Sequence, residues 1–266
     1  MIGRPSKHRP LPKEIIMTKR FASKVALITG ASKGIGAEIA RLLASEGAAV
    51  AVNYSTSKAG ADKVVTEITA MGGEAVAIHG NLNNAQDVQR LVADTVKALG
   101  LIDVLVNNAG IYKFASLDNI TPQHFHEHFN LNVLGLLLVS QEAVRHFSPE
   151  GGSIVNISSG VSTITPPNAS VYSATKAAVD AITSSLAKEL APRKIRVNAV
   201  NPGMIATEGV ISAGLHESDM RTWIESVTPL ARIGTANEIA AAVAFLASDE
   251  ASYVTGETLH LTGGLK

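Results

Sequence analysis

The chain predicts a single-domain α/β fold, an open doubly wound parallel β-sheet of about seven strands flanked by helices on both faces. Three observations lead there. From Lys24 onward short apolar runs alternate with longer amphipathic stretches. The short runs are nearly continuous in Val, Ile, Leu and Ala, as parallel strands covered on both faces must be. No repeat, low-complexity linker or composition break interrupts the alternation after residue 20. With 266 residues, 46% of them hydrophobic, the chain can bury one large core.

The strands are expected at Val25–Thr29, Ala48–Asn53, Glu74–His79, Ile102–Val106, Ser153–Ser158, Arg196–Val200 and Thr258–Leu261. Helices are expected at Gly34–Ser45, Ala59–Ala70, Ala85–Leu99, Pro122–His146, Ser173–Leu190 and Ala236–Ser248. Thr121-Pro122 and Thr235 supply helix-start signals. The domain covers 21–266, preceded by an extension over 1–20. Its first sixteen residues carry Arg4, Lys7, Arg9 and Lys13 against Glu14, with three prolines. This reads as a flexible tail, or as an upstream start with Met17 as alternative initiator, and not as a secretory signal.

Lys plus Arg and Asp plus Glu each number 23, so the formal net charge is zero and no general electrostatic grip on nucleic acid or anionic membrane is expected. Cysteine is absent, which excludes disulfides, thiolate metal sites and Cys nucleophiles. No apolar run approaches the ~18 residues of a membrane span. A cytoplasmic location is expected.

The first strand runs into Gly30-Ala31-Ser32-Lys33-Gly34-Ile35-Gly36, followed by a helix. Glycines there permit a tight turn and close backbone approach to a pyrophosphate, which the helix N-terminus attracts. A dinucleotide site places an acid at the end of the second strand to bind the ribose hydroxyls. Here that strand ends Asn53-Tyr54-Ser55, with no carboxylate, and Lys33 stands in the loop. These four side chains can donate to a 2′-phosphate, which favours NADP(H) over NAD(H).

Tyr172 and Lys176 are spaced i, i+4, on one helical face. Tyr54 and Lys58 share that spacing, so position must separate the pairs. Only Tyr172 follows, by 13 residues, a serine (Ser159) at a strand end, where open parallel sheets bind ligands. Carbonyl reduction needs a proton donor for the developing alkoxide. A phenol has a pKa of ~10, and a nearby ammonium is expected to lower it against the opposing effect of burial. Ser159 can hold the substrate oxygen. The hydride comes from nicotinamide, so no metal is required.

On these residues, with Asn107-Asn108-Ala109-Gly110, Asn132 in Asn-Leu-Asn-Val, and Pro202-Gly203 followed by Thr207, the chain resembles the short-chain dehydrogenase/reductase family from about Ala22 to Gly264. The resemblance implies a Rossmann-type fold and a homotetramer paired through the helices around Pro122–His146 and Ser173–Leu190. It implies Tyr172 as acid/base, Ser159 as the substrate-orienting hydroxyl, Lys176 on the nicotinamide ribose, and Asn132 holding a proton-relay water. For the cofactor it implies Gly30, Ser32, Lys33, Gly34, Ile35 and Gly36 at the phosphates, with Asn81 and Leu82 at the adenine. Asn107, Asn108, Ala109 and Gly110 would flank the cofactor, and Pro202, Gly203, Ile205 and Thr207 would contact its nicotinamide end. Asn81 departs from the family's usual Asp, which weakens the adenine contact, and Thr262-Gly263-Gly264 replaces the frequent Asp-Gly-Gly.

His124, His126 and His128 with Glu127 do not match a metal motif and read as a solvated helix or a subunit contact. Asn156 and Asn198 are expected to satisfy backbone groups. Gly209–Val227, with Met220 and Trp223, is either a substrate lid or a surface packed against a neighbouring subunit. Tyr112, Phe114, Val161 and Pro166 suggest a moderately apolar pocket. The leading reading is NADPH-dependent carbonyl reduction, similar to the 3-oxoacyl-acyl-carrier-protein reductases. The alternatives are a sugar or polyol dehydrogenase working oxidatively, and a non-catalytic dinucleotide sensor, which would need no Ser159, Tyr172 and Lys176 together.

Overall fold

A computed structural model describes residues 19–209 and 219–265. Residues 1–18 of the expected extension, residues 210–218 of the segment expected as a lid or a subunit contact, and Lys266 lie outside them. In chain order the elements are β1 (Val25–Ile28), α1 (Gly34–Ser45), β2 (Ala49–Tyr54), α2 (Lys58–Ala70), β3 (Glu74–His79), α3 (Ala85–Leu99) and β4 (Val104–Asn107). Then come α4 (Pro122–Phe129), a π-helical segment (Asn130–Gly135), α5 (Leu136–Val144), β5 (Gly152–Ile157), α6 (Val161–Ile164) and α7 (Ser170–Leu190). The chain continues through β6 (Ile195–Pro202), β7 (Ile205–Ala206), α8 (Asp219–Val227), β8 (Gly234–Thr235), α9 (Ala236–Ala247) and β9 (Thr258–Leu261).

Seven strands form one parallel sheet in the order β3-β2-β1-β4-β5-β6-β9, and β7 pairs separately with β8. Alternating side chains serve two cores. Ala26, Ile28, Val50, Val52, Val104 and Val106 pack with Ile39 and Leu43 of α1, Val64 and Ile68 of α2, and Val243 of α9. Leu27, Ala51, Leu105, Ile154 and Val197 face Leu91 of α3, Val139 of α5 and Leu190 of α7 on the other side. Each fully buried Leu or Ile stabilises the fold by roughly 1.5–3 kcal/mol. The strand order reverses between β1 and β4, and the crevice there, beyond the carboxyl ends of the strands, is where such sheets take ligands.

Three helices start on built caps, α3 on Asn84, whose Oδ1 accepts the Gln86 and Asp87 N–H groups. Thr121 Oγ1 accepts the His124 N–H at 3.1 Å; Thr235 and Glu238 form a reciprocal capping box. The expected single helix Pro122–His146 is broken. The Asn132 side chain is drawn out to the backbone of Ile111, and the chain makes a π turn there, a feature that clusters at functional sites. β6 runs to Pro202, beyond the expected Val200: Asn201 and Pro202 stand in register with His260 and Leu261 of β9, and a proline that closes a strand costs it little.

Candidate active site

The glycine turn is assembled from three strand ends. Gly30 has φ +61°, and a Cβ on it would meet Ala109 Cα at 2.9 Å, so this position requires glycine. Asn108 Nδ2 donates to the carbonyls of Thr29 and Gly30, both at 2.9 Å, while Thr29 Oγ1 accepts the N–H groups of Asn108 and Ala109. At the start of α1, Lys33 has extended backbone and supplies no side-chain cap, and the first turn holds no acid. The positive end of that helix is left for an anion. Thr207, after β7, lies across from Gly34: a Cβ on that glycine (φ +59°) would stand 3.6 Å from Thr207 Cβ.

Three expected cofactor contacts come out differently. Asn53 is buried, with its oxygen on the Gly30 N–H at 3.1 Å and its amide on the Gly80 carbonyl at 3.1 Å. Its hydrogen bonds shape the glycine turn, leaving Lys33, Tyr54 and Ser55 as the donors on that side. Lys33 and Ser55 are exposed, Ser32 and Ile35 are half-buried, and Gly36 is closely packed beneath the Asn108 amide. Tyr54 is half-buried, edge-on to His79. Leu82 is 3% exposed, so its side chain belongs to the core. Asn81 is exposed; its oxygen accepts the Asn83 N–H at 3.1 Å and keeps a second lone pair, so both ends of its amide can address an adenine. Asn107 turns inward, donating to Ser140 Oγ and Asn156 Oδ1 at 2.9 Å each. Asn156 therefore serves side chains, whereas Asn198 does satisfy backbone groups, at Val254 and Glu257.

At the ends of β4, β5 and β6 the other half of the crevice brings Asn132, Ser159, Tyr172 and Lys176 together. Ser159 stands beside the Tyr172 phenol and favours its ionised form; the Ser159 hydroxyl itself donates to the Pro202 carbonyl at 3.5 Å and accepts the Val161 N–H, and the same carbonyl accepts the Gly160 N–H. Lys176 is 6% exposed, and its Nζ donates to the Ile157 carbonyl at 2.8 Å, leaving two ammonium protons for a ligand. Asn132 Oδ1 accepts the Ile111 N–H, and Nδ2 donates to the Ile111 carbonyl and to Thr175 Oγ1. Thr175 in turn donates to the Tyr172 carbonyl at 2.7 Å. A Cβ on the exposed Gly110 would lie 3.7 Å from Lys176 Nζ, so the missing side chain keeps that face of the ammonium open. Gly203 donates its N–H to Leu261, and Ile205 is buried on β7. Asn132's ties to Ile111 and Thr175, and the Ser159–Pro202 contact, lay outside the sequence reading; no local pattern marks them.

The electrostatics correct one expectation. Lys176 does not pull the phenol down: its ammonium is 5.9 Å from the Tyr172 ring centroid and is held by Ile157. Burial pushes Tyr172 up to about 12, against the opposing effect of the neighbouring Ser159 hydroxyl, and pushes Lys176 down to about 8, against the Asp180 charge. The site therefore holds a protonated phenol over a wide pH range.

The expected pocket aromatics flank that phenol. Tyr112 and Phe114 have ring centroids 6.4 and 6.3 Å from Tyr172. Of the three histidines, His126 is exposed, His124 half-buried and His128 fully buried, so the solvated-helix reading fails for His128. Both His128 ring nitrogens are taken by backbone groups. Among the described residues no cluster of His, Cys, Asp or Glu could hold a metal, and no helix is long and apolar enough to cross a membrane. Trp223 and Met220 of α8 are exposed.

A residue set of this kind can bind a dinucleotide across the glycine turn and exchange a proton with a substrate oxygen beside it. A family model described as enoyl-(acyl carrier protein) reductase matches residues 30–266. The chain is 51% identical to an uncharacterized oxidoreductase of Methylorubrum extorquens over 247 residues, 93% of this chain and 99% of the relative. It is 44% identical to a 3-oxoacyl-[acyl-carrier-protein] reductase of Staphylococcus aureus over 246 residues, 91% of this chain and 98% of the relative. Among solved structures, a dehydrogenase/reductase from Sinorhizobium meliloti superposes with a TM-score of 0.90 at 38% identity, covering 94% of this chain and 98% of that one. A short-chain dehydrogenase from Burkholderia cenocepacia in complex with NADP superposes at 0.87, also 38% identical, covering 92% and 99%. The chain belongs to the short-chain dehydrogenase/reductase family of oxidoreductases.

Proposed function

We propose that the protein is an NADPH-dependent carbonyl reductase acting on ketones of the 3-oxoacyl type or on small carbonyls. The supporting observation is the convergence of Ser159 and Tyr172 beside a buried ammonium with spare protons. NADPH, when bound, supplies the hydride. Gly30 to Gly36 and the start of α1 receive its phosphates, and Lys176 donates to the nicotinamide ribose. Ser159 donates to the substrate carbonyl oxygen, and Tyr172 gives its proton to that oxygen as negative charge develops. Asn132, anchored at Ile111 and Thr175, holds the water that refills the relay. A phenol pushed up to about 12 is protonated at neutral pH, the form that donates in reduction.

Lys33, Tyr54 and Ser55, with no acid at the end of β2, support NADP(H) over NAD(H). The solved relative in complex with NADP supports the same choice. Exposed Phe125 and Leu134 and the exposed alanines 174, 177 and 181 of α7 support a homotetramer built through these helices. NADPH loss followed at 340 nm with a panel that includes a 3-oxoacyl thioester, simple ketones and aldehydes tests the proposal. Turnover with NADPH preferred in kcat/KM is expected. Tight NADPH binding without turnover on any member would make the protein a dinucleotide sensor, and a clear NADH preference would remove the Lys33 argument.

A further inference from the structure

His128 lies in the last turn of α4 with no exposed surface. Its Nδ1 is 2.8 Å from the carbonyl oxygen of His124, one turn earlier. A carbonyl can only accept, so Nδ1 carries the proton. Nε2 then presents its lone pair, and it accepts the Lys113 backbone N–H at 3.0 Å. The two bonds together select the neutral, Nδ1-protonated ring.

Lys113 stands between Tyr112 and Phe114, the rings that flank Tyr172. Residues 111–114 belong to no helix or strand. They are tied at Ile111 to Asn132, at Lys113 to His128, and just beyond, at Ala115, to the Asn168 carbonyl. We propose that His128 is a positioning residue for substrate selection: by holding the Lys113 amide it sets Tyr112 and Phe114 as an aromatic wall that favours carbonyl substrates carrying an apolar chain. This rests on reading the crevice as a carbonyl site.

The charged and titratable groups facing His128 are His124, whose ring lies 4.4 Å away, Lys113, and Glu127, which pairs with the Lys113 ammonium at 2.7 Å. Burial, chiefly, pushes His128 below its ordinary 6.5; His124 and Lys113 push the same way, and the His124 carbonyl and Glu127 oppose them. At neutral pH the anchor is intact. Protonation would put an N–H where the lone pair was, donor against donor, and release Lys113.

The test compares wild type with His128→Gln, whose amide oxygen can reach the Lys113 N–H, and His128→Phe, which fills the ring volume without an acceptor. Deuterium exchange of residues 111–114 is measured from pH 5 to 8 and corrected for intrinsic rates. Wild type should keep its protection at pH 7 and lose it, about tenfold, only well to the acid side of an ordinary histidine. The Gln variant should stay protected at every pH, and the Phe variant should be unprotected throughout. In NADPH-coupled turnover, His128→Phe should raise KM for a long-chain ketone about tenfold while kcat stays within about threefold, and the Gln variant should recover the KM. Wild-type-like protection in His128→Phe, or an acid transition that persists in His128→Gln, overturns the proposal. If the Phe variant does not fold, His128→Leu takes its place, and wild-type-like protection of residues 111–114 in that variant at pH 7 overturns the proposal. Absence of turnover in wild type would sink the carbonyl reading, while the exchange data would still judge the anchor.

Discussion

Tyr54–Lys58 and Tyr172–Lys176 have the same residues at the same spacing and share almost nothing else. Lys58 is exposed, pairs with Asp62 at 2.6 Å, and is pushed upward by that hydrogen bond. Lys176 is buried, bonded to the Ile157 carbonyl and pushed down to about 8. Tyr54 sits edge-on to an exposed histidine, whereas Tyr172 has Ser159 on its hydroxyl and two aromatic rings around it. An i, i+4 pair becomes chemistry only where a strand end supplies an acceptor for the amine and a hydroxyl for the phenol. The first pair runs from the last residue of β2 to the first of α2 and lacks both; the second, on α7, lies against the end of β5 and has them.

The sharpest way to break this contrast is to remove each phenol. Tyr172→Phe should lower kcat about 10³-fold, within the range a positioned proton donor contributes, while the Kd for NADPH, by fluorescence titration, stays within about threefold. Tyr54→Phe should leave kcat within about twofold and act, if anywhere, on NADPH affinity. Comparable loss of kcat in both variants would make the two pairs equivalent and the assignment of Tyr172 wrong.

Next come the amines. Lys176→Met should reduce kcat/KM about 10²-fold, as loss of an electrostatic contact does, and weaken NADPH binding; Lys58→Met should change neither. Stability should move the opposite way. A lysine whose pKa falls from 10.5 to about 8 on folding carries roughly 3 kcal/mol of penalty at neutral pH, and losing its bond to Ile157 returns about 1 kcal/mol. Lys176→Met should therefore be more stable by about 2 kcal/mol in urea unfolding at pH 7. Between the two pKa values the unfolded chain binds more protons than the folded one, so the wild type gains stability as pH rises from about 8 toward 10.5. The advantage of the variant should shrink over that same window, and an advantage that does not vary with pH would mean the ammonium is not the cause.

How much of this was legible in the sequence follows from the range of each interaction. The seven strands, the glycine turn and the choice of Tyr172 over Tyr54 are readable because they rest on local periodicity and chain position. The π turn at Asn130–Gly135 is not, because its cause is a side chain at Asn132 reaching Ile111, 21 residues away. Asn53 reads as a phosphate donor until the fold supplies Gly30 and Gly80 as nearer partners. His128 looks like one of three helix-surface histidines, and only the return of the chain at Lys113 buries it. The phenol shifts against the sequence expectation for the same reason: charge spacing is written along the helix, but desolvation is a property of everything packed around it.

A third lysine sharpens the comparison at its weak end. Lys33 is as exposed as Lys58 but, among the described residues, has no side-chain hydrogen bond or ion pair, and it stands at the uncapped start of α1. Exposed ion pairs are worth at most ~1 kcal/mol, or about fivefold. Lys33→Ala should accordingly lower kcat/KM with NADPH by about fivefold, and the loss should shrink as salt is raised, because an exposed charge is screened. With NADH, which has no 2′-phosphate, the change should be under about twofold. Lys58→Ala, whose partner is Asp62 and not a ligand, should leave the NADPH/NADH ratio where it was. If Lys33→Ala lowers both cofactors equally, the lysine serves the shared pyrophosphate, and the preference must come from Tyr54 and Ser55 at the end of β2.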